Sequence, residues 1–355
     1  MDRKCLKLLA LAAAVMTAAV GCRPDDEEDD RLYMSGSLNF DFPSYAVVGQ
    51  VVESYVSGIT TPSGSDLEYF WVSSDIDLGD DDLDTLMGQA ITVTLPDEPG
   101  EYSITAYARS ISGEYYSSTK TATVQVITTD AGSVGGWMPG TGEFVDGRDG
   151  STYQYRQYGS LEWFTQNLRY DGAADGTVLG RPYDGSEGID DIFGRLYSWN
   201  DATGGVSGSG LGGGPQGACP EGWSVPTVED WEDLALAASG TELDFLGHWE
   251  GLGETLSAPI TLNSSAMWPY SPDNLHTNTL GWNAFPTGNS RDHYGEYENI
   301  AVYGMWWAST ENPDGTVPYR FIYYNTDTFD NYYTDKDSYG VSVRCVRPAV
   351  SQEQQ

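Results

Sequence analysis

Two side chains beyond the first twenty-two residues could do thiol chemistry, Cys219 and Cys345. In an exported chain two such cysteines most simply bond to each other. A bridge across their separation of 126 residues would contribute roughly 4–5 kcal/mol through loop-closure entropy. Two unrelated buried thiols are the alternative that spacing leaves open. His248, His276 and His293 are scattered without metal-ligand spacing, so no zinc-type cluster is expected and no metal is assigned. The 53 acidic residues offer carboxylate pairs for glycoside hydrolysis in abundance, and only their separation in space could single one out. The remaining chemistry is recognition. Trp268, Tyr270, Tyr294, Tyr297, Asp330, Asn331, Tyr332 and Tyr333 gather in a long aromatic insertion and a final turn. Aromatic faces there would stack on sugar C–H surfaces while Asn and Asp pair with hydroxyls. The competing reading is that aromatics in a helix-poor domain are core, and Trp306-Trp307 is read that way.

The formal charge is −36, and −38 once residues 1–21 (Asp2 against Arg3, Lys4 and Lys7) are set aside. Such a chain is repelled by nucleic acid and by anionic head groups. Its expected partners are neutral glycans, surface proteins or cations. Aromatics at 13% and 42 glycines suit short strands and tight turns, so the expected class is mostly β with one clear helix.

Arg3 and Lys4 precede an apolar run from Leu6 to Val20, short for a membrane span and right for a signal peptide over 1–21. Ala19-Val20-Gly21-Cys22 resembles a bacterial lipobox, with Cys22 as the lipidated residue, although position 19 is smaller than usual. The acidic run after Cys22 makes 22–35 a solvated tether. It also resembles the surface-export signal of some Gram-negative lipoproteins. The expected location is the outer membrane, lipid-anchored and exposed on the cell surface.

Residues 36–128 read as a β-sandwich. Apolar and β-branched runs at 38–42, 46–56, 67–73, 90–95, 101–110 and 119–127 are punctuated by Gly, Pro, Ser and Asp. Tyr69-Phe70-Trp71 and Pro99-Gly100-Glu101-Tyr102 resemble the polycystic-kidney-disease-type immunoglobulin-like domain, in which Trp fills the core and Tyr braces a corner. The acidic loop Asp75, Asp77, Asp80, Asp81, Asp82 and Asp84 could attract Ca²⁺. It lacks the spacing and closing Glu of an EF-hand and reads as a solvated turn, so no cofactor is expected.

Residues 129–142 read as a Gly-rich linker, 143–348 as a second domain and 349–355 as a disordered tail. Thr227 is an N-cap ahead of Glu229 and Asp230, and Trp231, Leu234, Ala235 and Ala238 share one apolar helical face, with Gly240 as the stop. Tyr319–Tyr324 and Val341–Val346 are expected to pair across a polar turn. Val341, Val343 and Cys345 would then point inward together.

The order of motifs in this half resembles the Fibrobacter succinogenes major paralogous domain. They are Asp-Gly-x-x-Tyr153, Trp163 with Asn167-Leu168, Gly194-Arg-Leu-Tyr-x-Trp199, Cys219-Pro-x-Gly-Trp-x-x-Pro-Thr-x-x-x-Trp231, Trp306-Trp-x-Ser-Thr-Glu311 and Tyr339-Gly-x-Ser-Val-Arg-Cys345. Ser224 departs from the His often found there. The resemblance implies a C-type lectin-like, α+β fold related to formylglycine-generating enzymes, with Cys219 and Cys345 as the structural bridge. That role leaves no spare thiol for redox catalysis. Trp199-Asn200-Asp201 mimics a lectin calcium tripeptide but lies before Cys219 instead of near the end. The expectation is a non-enzymatic surface binding or adhesion protein that recognises a glycan or protein. An assembly role in a surface complex or fimbria is the alternative, and a glycan-active or formylglycine-type enzyme is a further one.

Overall fold

The structure is a computed structural model, and it describes residues 30–79, 85–128, 134–186, 188–242 and 247–349. The segment 1–21 read as a signal peptide, Cys22, Asp80, Asp81, Asp82, Asp84 and most of the tail lie outside these residues. The described chain is mostly β, in two units. Among the described residues no helix is long and apolar enough to cross a membrane.

In the first unit one sheet orders Tyr45–Val47, Ser118–Ile127, Gly100–Ser110, Leu67–Val72 and Thr85–Met87. Against it lie two antiparallel pairs, Ser35–Asn39 with Ser57–Thr60 and Val51–Tyr55 with Ala90–Thr94. Alternation decides which side chains enter the core: Val52, Ile91, Val93, Ile104, Ala106 and Ala108 are buried while their neighbours face out. Trp71 is fully buried, its ring 4.9 Å from Phe40 and its Nε1 donating to Gly88 O at 3.1 Å. Tyr102 braces a corner by donating its hydroxyl to Glu98 O at 2.8 Å. The long run 46–56 is broken at Gly49, whose φ of 70° turns the chain between two strands. Asp75 and Asp77 are engaged in turns, accepting from Ser74 Oγ and Gly79 N, each at 2.8 Å.

In the second unit a four-stranded sheet orders Gly142–Val145, Thr152–Tyr158, Leu161–Phe164 and Val346–Pro348, and a five-stranded one Thr241–Glu242, Trp249–Glu250, Thr328–Thr334, Val317–Tyr323 and Tyr303–Trp307. A smaller sheet orders Glu296–Glu298, Asn289–Arg291 and Tyr339–Gly340. The helix Val228–Ala237 forms where its cap predicts: Thr227 Oγ1 accepts from Asp230 N, and Asp230 returns the bond to Thr227 N. Trp231, Leu234 and Ala235 on its apolar face are fully buried. Cys219 and Cys345 are bonded, their Cα atoms 5.8 Å apart, inside a core with Trp223, Trp307 and Val343.

Three expectations are corrected. The segment read as a linker is built into the second unit from Val134 onward. Val134–Gly135 pairs with Thr261–Leu262, and Trp137 stacks on Phe285 at 5.8 Å. Gly136 serves close approach, since a Cβ there would lie 2.2 Å from Pro259 O. Residues 330–333 lie in a strand and not a turn, because Thr328–Thr334 completes a hairpin with Val317–Tyr323. Val341–Val346 therefore does not pair with that strand. Val341 bridges Tyr197, and Val346–Pro348 joins Leu161–Trp163.

The sequence motifs converge on one buried polar knot. Arg344 is fully buried and donates to Asn167 Oδ1 at 2.7 Å, Phe164 O at 3.2 Å, Trp282 O at 2.7 Å and Asn283 O at 2.7 Å. Its guanidinium stacks 4.3 Å from the Trp282 ring. Trp306 Nε1 donates to the same Asn167 oxygen at 3.0 Å. Burial pulls the Arg344 pKa down to about 9, still above neutral pH, so the carbonyl dipoles surround a cation. Conformational specificity fits this arrangement, since all three guanidinium nitrogens donate to acceptors fixed in space and the planar fork matches their spread.

Candidate functional site

Tyr303–Trp307, Val317–Tyr323 and Thr328–Thr334 place alternate side chains on opposite sides of one sheet. Trp306, Ile322 and Phe329 belong to the side buried against the helix residues Trp231 and Leu234. On the other side Trp307 and Val317 are covered by the disulfide core. Beyond that cover the same face opens into a groove of about 260 Å³. Met305 and Tyr319 form its floor, and Tyr303, Phe321 and Tyr332 rise beside them. Tyr339, Arg291 and Asn289 of the smaller sheet make the opposite wall with Glu298 and Asn299.

The rings form a connected surface. Tyr303 lies 5.7 Å from Phe321 and stacks at 4.7 Å on Tyr323, while Tyr319 lies 6.1 Å from both Phe321 and Tyr339 and 6.2 Å from Tyr332. The opposite wall is pre-organised by polar bonds. Arg291 Nε holds Glu298 at 2.6 Å, Asn289 Nδ2 donates to Glu298 Oε1 at 3.1 Å, and Asn299 Nδ2 donates to Asn289 Oδ1 at 2.7 Å. Gly340 lets the wall close, because a Cβ there would meet Ser290 Oγ at 2.3 Å and the Tyr294 ring at 2.8 Å. Burial raises the Tyr319 pKa, and burial together with the Asp330 carboxylate raises that of Tyr303. Their phenols therefore stay protonated at neutral pH and can donate. The arrangement offers flat apolar faces, neutral donors, amide groups and a carboxylate that is already spoken for, which is the chemistry of binding a polyhydroxylated surface. The groove is smaller than the 300–1,000 Å³ typical of enclosed small-molecule clefts and suits one stretch of a longer polymer.

Of the residues expected to bind ligand, the structure brings Tyr332 to this groove and scatters the rest. Trp268 is buried and stacks at 4.8 Å on His276, so its face is taken. Tyr270 stands 85% exposed by itself on a loop. Tyr294 is a brace: its hydroxyl donates to Asp201 Oδ2 at 2.6 Å and accepts from Ser198 N at 2.6 Å. Tyr297 packs on Tyr183 at 5.4 Å and lines a different cleft. Asp330 accepts from Thr328 Oγ1 at 2.7 Å and sits 3.3 Å from His248, and Asn331 lies opposite Arg320 in the strand register. Tyr333 is exposed beside the groove, its ring parallel to that of Tyr332 at 5.2 Å. Sequence reasoning missed Tyr303, Phe321, Tyr339, Asn289, Arg291, Glu298 and Asn299. The period-2 series Tyr303-x-Met305 and Tyr319-x-Phe321-x-Tyr323 was the available signal for an aromatic sheet face. Among the described residues no three His, Cys, Asp or Glu side chains converge as a metal site.

No curated protein matches this chain. A solved structure of the Yersinia pseudotuberculosis adhesin InvE aligns at 13% identity over 88% of this chain and 70% of that one, with a TM-score of 0.22, too loose a likeness to carry an argument. Residues 157–347 span the motif knot, the disulfide and the strands that form the groove, and they match the Fibrobacter succinogenes major domain. The chain belongs to that family.

Proposed function

We propose that this protein is a lipid-anchored surface binding protein that recognises a glycan through the groove of its second unit. The observation that carries the reading is the continuous aromatic face Tyr303–Phe321–Tyr319–Tyr332 set opposite an amide and arginine wall. Pyranose rings present C–H faces to aromatics and hydroxyls to amides, and each good stacking contact contributes about 0.5–1.5 kcal/mol beyond burial. The strong negative charge disfavours polyanions, so neutral polysaccharides are the expected class. The C-type lectin-like fold of the second unit and the polycystic-kidney-disease-type character of the first belong to this reading. The buried Trp71 and the Tyr102 corner support the latter. The first unit then serves as a spacer above a lipidated Cys22 on the outer membrane. In this reading the protein is not an enzyme and needs no cofactor.

The test is an array of neutral and acidic glycans probed with the mature chain. Retention on neutral polysaccharides, lost in Tyr303→Ala/Tyr332→Ala, is expected. Silence across the array, with capture of a surface protein instead, would replace the glycan reading. Cys22→Ala should release the protein from the membrane fraction, and persistence there would remove the anchor.

A further inference from the structure

A second concavity of about 730 Å³ lies between the two units, away from the aromatic groove except for the shared Glu298. The units are held across it by specific bonds. Ser44 donates to Asp184 through both its N–H, at 2.9 Å, and its hydroxyl, and Ser186 Oγ donates to Gln50 Oε1 at 2.9 Å. Tyr45 also packs against Phe193 at 5.3 Å. The cleft is therefore formed before any ligand arrives.

Two strand edges line it. Val51–Tyr55 pairs with Ala90–Thr94 on one side, and among the described residues no strand pairs with its other side. Glu296–Glu298 likewise pairs with Asn289–Arg291 alone among the described strands. The register identifies which backbone groups are available. Gln50 O accepts from Leu95 N, and Val56 N donates to Gln89 O, so the even-numbered residues of this strand bond inward to the partner. By alternation Val51, Glu53 and Tyr55 direct their N–H and C=O groups to the free edge. Val51 and Glu53 both line the cleft. An unpaired edge beside an open cavity is a template for an added strand.

Charge selects the occupant. Asp41, Glu53, Asp184, Glu296 and Glu298 line the cleft, and among the described residues no Lys or Arg does. Asp184 is engaged by Ser44 and Glu298 by Arg291, whereas Asp41, Glu53 and Glu296 have no salt-bridge partner among the described residues. We propose that this cleft captures an extended, basic peptide segment of a partner protein by strand addition to the Val51–Tyr55 edge. Backbone bonds at Val51 and Glu53 supply the register, and basic side chains at alternate positions meet the carboxylates.

The experiment uses the whole mature chain and two synthetic decapeptides, one alternating Lys with Thr and one alternating Glu with Thr. The Lys peptide should bind, more weakly as salt is added, and should slow hydrogen exchange at Val51 and Glu53. Glu53→Pro removes an outward N–H without touching the ladder to Ala90–Thr94 and should weaken binding by about tenfold, through the lost hydrogen bond, the lost carboxylate and the ring's bulk. A second variant, Asp41→Asn/Glu53→Gln/Glu296→Gln, keeps the backbone edge and should remove the salt dependence. Thermal melts of both variants establish that they fold. The proposal is overturned by absent binding of the Lys peptide, by equal binding of the Glu peptide, or by protection appearing elsewhere. Unchanged affinity in a folded Glu53→Pro protein overturns it as well. Glycan retention by these variants tests the groove separately.

Discussion

The two sides of the sheet formed by Tyr303–Trp307, Val317–Tyr323 and Thr328–Thr334 both carry aromatic residues, three on one and six on the other, and hold them differently. One side sends Trp306 to Asn167 and thereby to Arg344, where both side chains donate to the same Asn167 oxygen. The other side leaves Tyr303, Phe321 and Tyr332 with ring faces turned to an open groove. The family motifs lie on the first side and across the disulfide, while most of the groove residues lie outside them. Motif residues here specify a frame, and the proposed binding chemistry would sit on positions that the frame leaves open.

The largest expected effect breaks the frame. Arg344→Met should lose about 3–5 kcal/mol, measured by denaturant unfolding, because three buried backbone carbonyls lose their donor and Asn167 Oδ1 keeps only Trp306. Arg344→Lys should recover little, since an ammonium cannot span the same fork of acceptors. A loss under about 1 kcal/mol would mean that the knot is not what holds the two sheets in register. Next comes the clamp. Cys219→Ser/Cys345→Ser should cost roughly 2–5 kcal/mol, with glycan retention surviving wherever the protein remains folded. Retention lost from a folded protein would erase the distinction between frame and groove.

On the other side of the comparison, Tyr303→Ala/Tyr332→Ala should cut glycan retention by about ten- to a hundredfold. Tyr332 is 58% exposed, so most of that effect should appear in binding and little in the melting curve. The smallest effect concerns the insertion. Burial lowers the His276 pKa from 6.5 to about 4. Above pH 6.5 the ring is neutral whether the chain is folded or not. Between pH 6.5 and 4 the unfolded chain takes up a proton that the folded ring resists, so this site loses stability as pH falls. The loss should reach roughly 1–3 kcal/mol near pH 4 and should flatten in His276→Phe. Denaturant midpoints across that window would show it, and they would also show that the Trp268–His276 stack is part of the fold.

The legible parts of the sequence were those encoded locally or by counting. Thr227 and Asp230 announce a helix start within four residues, and two cysteines in a chain read as exported announce their bond. Trp71 and Tyr102 were read from neighbours along the same strands. The groove was not legible, because its face depends on the register of three strands and on a wall brought from residues 289–299 and 339. The run Asp330-Asn331-Tyr332-Tyr333 looked like a turn because two adjacent polar residues followed by two aromatics break the alternation that marks a half-exposed strand. The glycines at 135 and 136 looked like part of a linker, yet they are small because Thr261 and Pro259 pack against them.

The central claim is that ligand lies on the open side of this sheet. Its most direct test is a crystal structure of the chain with the oligosaccharide that binds best on the array. Sugar rings are expected over Tyr303, Phe321 and Tyr332, with hydroxyls at Asn299 or Arg291. Sugar held instead at Tyr270 and the insertion, or at the mouth of the interunit cleft, would contradict it.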